Sequence, residues 1–488
     1  MATVLPFDAA GIHLDPAQGL ARQLYAALRE RILDGRLGSR TRMPASRELA
    51  QALKVSRNTV VRAYEQLHAE GYIDGRTGDG TYVAELQEIP GRAPAVAPSA
   101  PAPRGPAALA PPPEGAPRAF RVGVPAFDLF PFDTWARLQA RFWRNPPADC
   151  LGYGDPAGEA RLRELIAAYL RSARGLRCEA EQVIVTHGAQ QAIRLCAQVL
   201  LENGDPVAVE NPGYRAARLP SPRPARYRTG STSTPGLRSD RLAGIAGCRL
   251  AYVTPSHQYP TGVTLSLARR LELLEWAERA DGWIVEDDYD GEYRYSGTPL
   301  APLAALDRQG RVLYVGTFCK IAFPALRLGY LVVPPALVER FRQRRAIEVR
   351  HSEVGTQRVM ADFIAEGHFQ RHVRRMRRAA RARRDALLRG WPEAPVASRC
   401  RRWRLHLCVR VDSLARERAL IAAAAAAGVE VSALSDYWMD DSSVAPDDRA
   451  GLVLGFAAVP EARIDEALRA LRKAWRREAL VGPVVATD

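Results

Sequence analysis

Ten prolines lie between Pro90 and Pro117, and they set the first limit on how this 488-residue chain can fold. Alanine and glycine fill most of the gaps, so the segment has neither apolar bulk nor a helical or strand repeat. Because proline lacks a backbone N–H donor and fixes φ, such a run stays extended and semi-stiff. We therefore predict a linker over residues 85–117 that separates a unit at 1–84 from a unit at 118–478. Residues 479–488 are predicted to form a short tail.

The N-terminal unit has the pattern of three short helices followed by a hairpin. Apolar residues recur every four positions in the first helix, at Leu20, Leu24, Leu28 and Ile32. A second helix is predicted from Ser46 to Leu53, and a third, with Ser56 as its N-cap, ends at Gly71. Two strand-like runs, 72–73 and 81–83, flank a glycine-rich turn. This order of elements predicts a winged helix-turn-helix.

The start of the third helix carries side chains suited to reading DNA, because this end of a recognition helix enters the major groove. Arg57 can reach guanine edges or phosphate, and Asn58 and Thr59 offer short hydrogen-bonding groups. Arg47 suits a backbone phosphate. The predicted DNA-binding residues are Arg47, Ser56, Arg57, Asn58, Thr59, Arg62 and, in the wing, Gly78. The alternative is a protein-docking module.

From about residue 118 the chain alternates short apolar runs with helical patterns. The runs are 183–185, 206–209, 249–253, 283–285, 312–315 and 328–333, and stretches such as 188–202 and 266–280 have helical periodicity. This alternation predicts buried parallel strands joined by crossover helices. Residues 400–475 are predicted to form a smaller α+β part.

Two of these predicted strands end in residues that carry chemistry. Trp283-Ile-Val is followed by Asp287 and Tyr289, and the run from Arg311 ends in Lys320. A lysine, an acid and a tyrosine at the carboxyl ends of two strands are typical of a pyridoxal phosphate (PLP) site. There the lysine forms a Schiff base, the acid pairs with the pyridine nitrogen and the tyrosine faces the phenolic oxygen. Asp288 and Asp290 are interpreted as solvated or structural.

A strand-to-helix turn supplies a phosphate site for the same cofactor. Backbone N–H groups of Gly188, Ala189 and Gln190 stand at a predicted helix start, where phosphate binds readily. Arg327 can grip the phosphate bidentately. Each signal is weak by itself, but the ordered set predicts a PLP pocket.

Charge and cysteine usage limit the class of protein. The net charge of +15 favours contact with polyanions. Residues 340–404 hold 19 arginines and six acidic residues, which indicates either a solvated helical face or an auxiliary DNA-contacting surface. The seven cysteines are scattered and form no Cys-x-x-Cys pair, which argues against a zinc site or disulfide framework and favours a reducing cytoplasm. No signal peptide and no run long enough for a membrane span is visible.

The head and the large unit each resemble a known family. Met43-Pro-Ala-Ser-Arg-Glu-Leu-Ala, Val55-Ser-Arg-Asn-Thr-Val and Gly78-Asp-Gly-Thr-Tyr-Val83 resemble the GntR-type winged-helix head. Tyr153-Gly-Asp-Pro-Ala-Gly158, Glu210-Asn-Pro-Gly-Tyr214 and Gly316-Thr-Phe-Cys-Lys320 are similar to motifs of fold type I aminotransferases. The whole chain resembles the MocR/GabR group of bacterial regulators.

This resemblance implies PLP on Lys320, with Thr317 beside it, Tyr214 stacked on the ring, and Tyr153 reaching the phosphate in the partner subunit of a homodimer. The residue before the lysine is usually a serine that donates to the phosphate, whereas this chain has Cys319. A thiol is a weaker donor, so this phosphate contact is expected to be weaker than in the enzymes. The resemblance also places an asparagine of the enzymes within 256–259, where His257 and Gln258 stand here.

Two functions fit these residues. One is a PLP-dependent regulator that binds operator DNA and answers to a small amine or amino acid. The other is a PLP-dependent aminotransferase with an appended DNA-binding head. The winged helix and linker favour the regulator, since an enzyme gains nothing evident from them. No arginine stands near 452–456, where a carboxylate ligand is expected, and Arg215, Arg218, Arg402 and Arg404 are unranked candidates.

Overall fold

A computed structural model describes residues 11–76, 79–85, 115–202, 204–217, 227–229, 247–295, 300–391, 404–439, 444–477 and 485–486. Gly78, Arg218, Arg402, most of the predicted linker and most of the tail lie outside these residues. The chain divides into two compact units, residues 1–105 and 106–488, which are described separately. Within the described residues, no helix combines the length and apolar character needed to cross a bilayer.

The first unit is the predicted winged helix-turn-helix. Its helices are α1 (Leu20–Leu33), α2 (Ser46–Ala52) and α3 (Arg57–Ala69), and its wing pairs β1 (Ile73–Arg76) antiparallel with β2 (Gly80–Val83). Ser56 is the N-cap of α3, as predicted, and its side chain accepts a hydrogen bond from the backbone N–H of Thr59. The unit buries its own apolar core, including Leu24, Leu28, Leu49, Val60 and Leu67.

The second unit is built on a seven-stranded sheet. Its strands are β3 (Val183–Thr186), β4 (Val207–Val209), β5 (Tyr227–Thr229), β6 (Leu250–Val253), β7 (Trp283–Asp287), β8 (Val312–Thr317) and β9 (Gly329–Val332). They lie in the order β3-β9-β8-β7-β6-β4-β5. Strands β6 and β8 are buried along their whole length, as is typical of a sheet whose two faces are both covered.

The expectation of an all-parallel sheet is wrong for one strand. β9 runs antiparallel to both of its neighbours, β3 and β8. Residues 318–328 join β8 to β9 without an intervening α-helix, and so short a connection cannot carry the crossover that a parallel neighbour requires. The return of β9 leaves Lys320 and Arg327 in one loop at the carboxyl end of β8.

The helices of the second unit pack around this sheet and around a smaller C-terminal sheet. They are α4 (Phe132–Arg144), α5 (Ala160–Arg174), α6 (Ala189–Leu200), α7 (Leu267–Arg279), α8 (Leu303–Leu306), α9 (Val338–Val349), α10 (Val354–Ala365), α11 (His368–Gly390), α12 (Leu414–Ala426) and α13 (Glu461–Arg477). The C-terminal sheet has the order β11-β12-β10-β13 and is antiparallel. Its strands are β10 (His406–Arg410), β11 (Ser432–Ala433), β12 (Gly451–Gly455) and β13 (Val485–Ala486). The predicted α/β fold class with a smaller α+β part is confirmed.

Candidate functional site

One cavity lies at the carboxyl ends of β7 and β8, against the start of α6. This edge collects side chains because parallel strands β6, β7 and β8 all end there. The cavity is lined by nine of the predicted cofactor residues: Lys320, Asp287, Tyr289, Arg327, Tyr214, Gly188, Ala189, Gln190 and Thr317. Side chains from positions more than 130 residues apart thus share one pocket.

Asp287 ends β7 inside this cavity and is buried. Its Oδ2 accepts a hydrogen bond from the Tyr252 hydroxyl over 2.8 Å, while its Oδ1 is buried without a partner among the described residues. Burial raises the pKa of Asp287 to about 7. A buried acceptor without a partner is costly, so this oxygen is suited to an N–H donor from a ligand.

Lys320 follows β8, and its side chain extends to Gly123, another residue of the cavity lining. Its Nζ donates to the backbone oxygen of Gly123 over 2.8 Å. Burial lowers the pKa of Lys320. A lowered pKa increases the neutral amine, which is the form that attacks a carbonyl carbon.

His257 lies in the loop that follows β6, and its Nδ1 is 2.9 Å from the hydroxyl of Tyr289. Gln258, the other residue considered there, turns away and donates to the backbone oxygen of Pro212. His257 therefore contacts the tyrosine expected to face the phenolic oxygen. The sequence could place this loop near the site but could not select between the two side chains.

The opposite end of the cavity has the features of an anion site. Gly188 caps α6 with a φ of +84°, a left-handed conformation that favours glycine, and Gly188, Ala189 and Gln190 at the start of α6 line the cavity. A Cβ on Gly188 would come within 3.7 Å of the Arg327 guanidinium. Arg327 also donates to the His187 backbone oxygen. A guanidinium beside the first N–H groups of a helix is suited to phosphate.

Cys319 lines the same end of the cavity. Its Sγ lies 3.6 Å from the backbone oxygen of Leu328, and its backbone N–H donates to the Thr317 hydroxyl. The thiol therefore already has an acceptor within the protein. Because a thiol is a weak donor, we expect it to donate little to a phosphate oxygen as well.

The residues present fit PLP group by group. Asp287 offers the pyridine nitrogen an acceptor that has no partner within the described part of the chain, Lys320 offers an amine for the aldehyde, and Tyr289 a hydroxyl for the phenolic oxygen. Arg327 and the start of α6 offer donors for the phosphate. Tyr214 also lines the cavity, and burial raises its pKa to about 12.

Several predicted or considered residues lie away from the cavity. Tyr153 is 80% exposed, and the Arg350 guanidinium lies 4.3 Å from its ring centroid. Asp288 and Asp290 are both buried, so of the two interpretations the structural one holds and the solvated one is wrong. Asp288 pairs with Arg174 and accepts from Tyr314. A buried carboxylate is stabilised by such a charged partner, here from a distant helix.

Sequence reasoning missed several residues that line the cavity, among them Tyr252, Gly123 and His406. Tyr252 lies in an apolar run assigned to a strand, where its hydroxyl gave no separate signal. Gly123 comes from the segment that follows the predicted linker, and His406 from the C-terminal sheet. Of the candidate carboxylate ligands, Arg404 is buried against Asp290 and Arg215 is exposed.

The candidate DNA-binding face lies on the first unit. Arg47, Ser56, Arg57, Asn58 and Arg62 are exposed, and Thr59 is half-buried. Arg57 Nε lies 3.3 Å from the Ser46 hydroxyl, so the starts of α2 and α3 are in contact. Ser56 and Thr59 share a 2.8 Å hydrogen bond at the helix start, so part of their capacity serves the cap.

Known families match both units. Residues 20–83 match the family described as bacterial regulatory proteins, gntR family, and residues 120–396 match aminotransferase class I and II. The probable rhizopine catabolism regulatory protein MocR of Rhizobium meliloti is 38% identical over 486 residues, 93% of either chain. The pyridoxine biosynthesis transcriptional regulator PdxR of Corynebacterium glutamicum is 32% identical, over 92% of this chain and 95% of that protein.

Solved structures match the second unit. The kynurenine aminotransferase of Pyrococcus horikoshii superposes with a TM-score of 0.63 at 27% identity, over 74% of this chain and 90% of that chain. LysN, the alpha-aminoadipate aminotransferase of Thermus thermophilus, has a TM-score of 0.65 at 26% identity, over 74% and 93% of the two chains. The chain thus belongs to the family of MocR-type transcriptional regulators, in which a GntR-type winged-helix head is fused to a class I and II aminotransferase domain.

Proposed function

We propose that this protein is a PLP-dependent transcriptional regulator whose large domain senses a small amine or amino acid and whose head binds operator DNA. The observation that carries the proposal is Oδ1 of Asp287, which has no partner among the described residues and lies in the same cavity as Lys320, in a chain with a GntR-type head. A pocket prepared for the cofactor and an exposed recognition helix are both needed by a regulator.

Each cavity residue has one proposed role. When bound, PLP supplies an aldehyde that condenses reversibly with amines. Lys320 anchors it, Asp287 keeps the pyridine nitrogen protonated, and Tyr289 donates to the phenolic oxygen. Arg327, Thr317 and the N–H groups of Gly188, Ala189 and Gln190 hold the phosphate, while Tyr214 stacks on the ring.

The head contacts DNA through the start of α3 and through its wing. Arg57, Asn58 and Arg62 are proposed to read bases or phosphates in the major groove, because they are exposed at the start of the recognition helix. Arg47 is proposed to bind a backbone phosphate. Ser56 and Thr59 contribute through the helix cap, and Gly78, which lies outside the described residues, is kept as a proposed DNA contact.

The effector is proposed to be a small amine, an amino acid or a B6 vitamer. Relatives named for rhizopine catabolism and for pyridoxine biosynthesis support a role in amine, amino-acid or vitamin B6 metabolism. Arg404 is a poor candidate for the effector carboxylate, since Asp290 and the Ser256 backbone oxygen occupy its guanidinium. The cavity retains a lysine and an acid suited to a residual half-transamination.

A homodimer in the cytoplasm is also proposed. Tyr153 supports it, because a tyrosine that is 80% exposed and outside its own cavity is free to complete a neighbour's phosphate site. Sedimentation of the PLP-loaded protein tests this part, and a monomer at micromolar concentration would contradict it.

DNA binding tests the proposal that the protein is a transcriptional regulator. Fluorescence anisotropy is measured with the region upstream of the protein's own gene and with random DNA of equal length. A library of amines, amino acids and B6 vitamers is then added to the PLP-loaded protein. We expect specific binding that at least one compound changes. Equal affinity for both DNAs would favour the alternative, an aminotransferase with an appended head.

A further inference from the structure

His257 lies directly behind the tyrosine of the cofactor cavity. It is 1% exposed, and its Nδ1 lies 2.9 Å from Tyr289 Oη in hydrogen-bonding geometry. The same nitrogen lies 2.7 Å from Asp290 Oδ2 but outside hydrogen-bonding geometry, because that carboxylate oxygen has no hydrogen-bond partner among the described residues. One ring nitrogen is therefore placed between a carboxylate and the hydroxyl that faces the cavity.

Two buried residues hold this histidine in place. Arg404 Nη1 lies 3.0 Å from Asp290 Oδ1, and Arg404 Nη2 donates to the backbone oxygen of Ser256. Burial by itself would raise the pKa of Asp290, but His257 and Arg404 lower it to about 2. The carboxylate is therefore ionised at neutral pH.

An ionised carboxylate beside Nδ1 favours a proton on that nitrogen. The N–H then donates to Tyr289 Oη, so the tyrosine oxygen accepts a hydrogen bond from His257. Its own proton is left to donate into the cavity. Nε2 has no hydrogen-bond partner among the described residues, so Nδ1 is the ring nitrogen that makes the hydrogen bond.

We propose that His257 is a positioning residue that donates to Tyr289 and so directs the tyrosine proton toward the phenolic oxygen of PLP. Asp290 and Arg404 fix the histidine ring for this purpose. The inference rests on the proposed function, because it requires PLP in the cavity. Donation from His257 polarises the Tyr289 hydroxyl and makes it a stronger donor, as in other chains of hydrogen bonds.

Other titratable groups surround this chain of contacts. The His406 ring centroid lies 5.2 Å from that of His257, and burial lowers the pKa of His406 to about 3, so it stays neutral. Tyr259 packs its ring against both Tyr289 and His406. Burial raises the pKa of Tyr259 well above its usual range. At neutral pH, Asp290 and Arg404 are therefore the charged groups that act on His257 from the elements packed against it.

The test is the pH titration of the visible absorption band of the PLP-loaded protein. A weaker donor at Tyr289 leaves more charge on the phenolic oxygen, which then retains the proton shared with the Lys320 nitrogen to higher pH. We expect H257L to raise the midpoint by about 0.5 to 1 pH unit, or three- to ten-fold in proton affinity, the scale of one hydrogen bond. H257N, whose amide nitrogen can replace Nδ1, should stay close to wild type.

Two further variants show whether His257 acts through the tyrosine. In a Y289F background, H257L should give no additional shift, since the hydroxyl that it acts on is gone. S256A is the matched control: it removes a neighbouring buried hydroxyl that has no hydrogen-bond partner among the described residues, and it should leave the midpoint unchanged.

The outcomes separate this inference from the proposed function. A wild-type midpoint in H257L, or a full H257L shift in the Y289F background, would overturn the role of His257 while leaving PLP binding intact. A shift in S256A as large as in H257L would also overturn it, as a general disturbance of the loop. Absence of any visible band in the wild-type protein would instead overturn the proposed function.

Discussion

The Tyr252 hydroxyl donates to Oδ2 of Asp287 over 2.8 Å and leaves Oδ1 of the same carboxylate facing a buried space without a partner among the described residues. The hydrogen bond from Tyr252 orients the carboxylate, and Oδ1 stays available to accept a hydrogen bond from a ligand. Orientation by one hydrogen bond lowers the entropic cost of forming the next one, so the site is prepared before a cofactor arrives.

This preparation should destabilise the cofactor-free protein at high pH. The folded state holds the Asp287 proton up to a pKa of about 7, whereas unfolded aspartates titrate near 4, so stability is lost as pH rises across this window. Cofactor-free D287N should be more stable than wild type by about 1–4 kcal/mol at pH 8 and by much less at pH 5. Urea unfolding at both pH values measures this difference.

The control for this prediction is D133N, which changes an exposed aspartate in the first turn of α4 and should have little effect at either pH. Excess PLP should make wild type more stable than D287N at pH 8, because the ionised carboxylate of Asp287 gains a cationic partner. A D287N advantage that is the same at pH 5 and pH 8 would contradict the prediction.

Lys320 is expected to be the residue that carries PLP. The purified protein should absorb in the visible, and borohydride reduction should fix PLP to this lysine. K320A should lose both signals. The sequence contains only two other lysines, Lys54 and Lys473, so peptide mass spectrometry can identify the site. An adduct on either of them would show that the assignment is wrong.

Replacing Cys319 by serine should tighten PLP binding. A hydroxyl is a stronger donor than a thiol, and one restored net hydrogen bond is worth about 0.5–1.5 kcal/mol. Equilibrium dialysis gives the dissociation constants of wild type, C319S and a control, C150S, which lies outside the cavity lining. Unchanged or weaker binding in C319S would mean that this side chain does not reach the phosphate.

Arg57 and Arg47 should differ in what they contribute to DNA binding. R57A should weaken binding to the specific operator by about 1–3 kcal/mol and relax specificity at one base pair. R47A should weaken operator and random DNA equally, because phosphates carry no sequence information. Anisotropy titrations at fixed salt compare the two variants. If R57A also acts equally on both DNAs, Arg57 is a phosphate contact.

The arginines of α11 test the second basic surface. Arg374, Arg375 and Arg378 are exposed, whereas Arg377 donates to the backbone oxygen of Glu292. Replacing the three exposed arginines by glutamine should reduce the dependence of DNA affinity on salt concentration, because fewer counterions are released. The control replaces Arg418 and Arg469, which are exposed elsewhere in the same unit, by glutamine. An unchanged salt slope would favour the solvated helical face.

Local patterns in the sequence were enough for the helices and wing of the head and for six of the seven strands of the large sheet, but not for β5. The N-cap at Ser56 and the strands ending near Asp287 and Lys320 depend on capping chemistry and apolar runs a few residues long. The antiparallel return of β9 was missed because an apolar run has no direction. Direction is decided by the connection, which here is too short for a crossover.

The sequence by itself determined which residues could carry chemistry, since residue type and nearby spacing decide that. Tertiary structure alone decided how they are partnered. Asp290 meets His257 and Arg404, and Asp288 meets Arg174, through contacts between segments as many as 114 residues apart. No local pattern encodes such contacts, because they form only when separate elements pack and exclude water. Burial then makes each charge depend on the partner that folding places beside it.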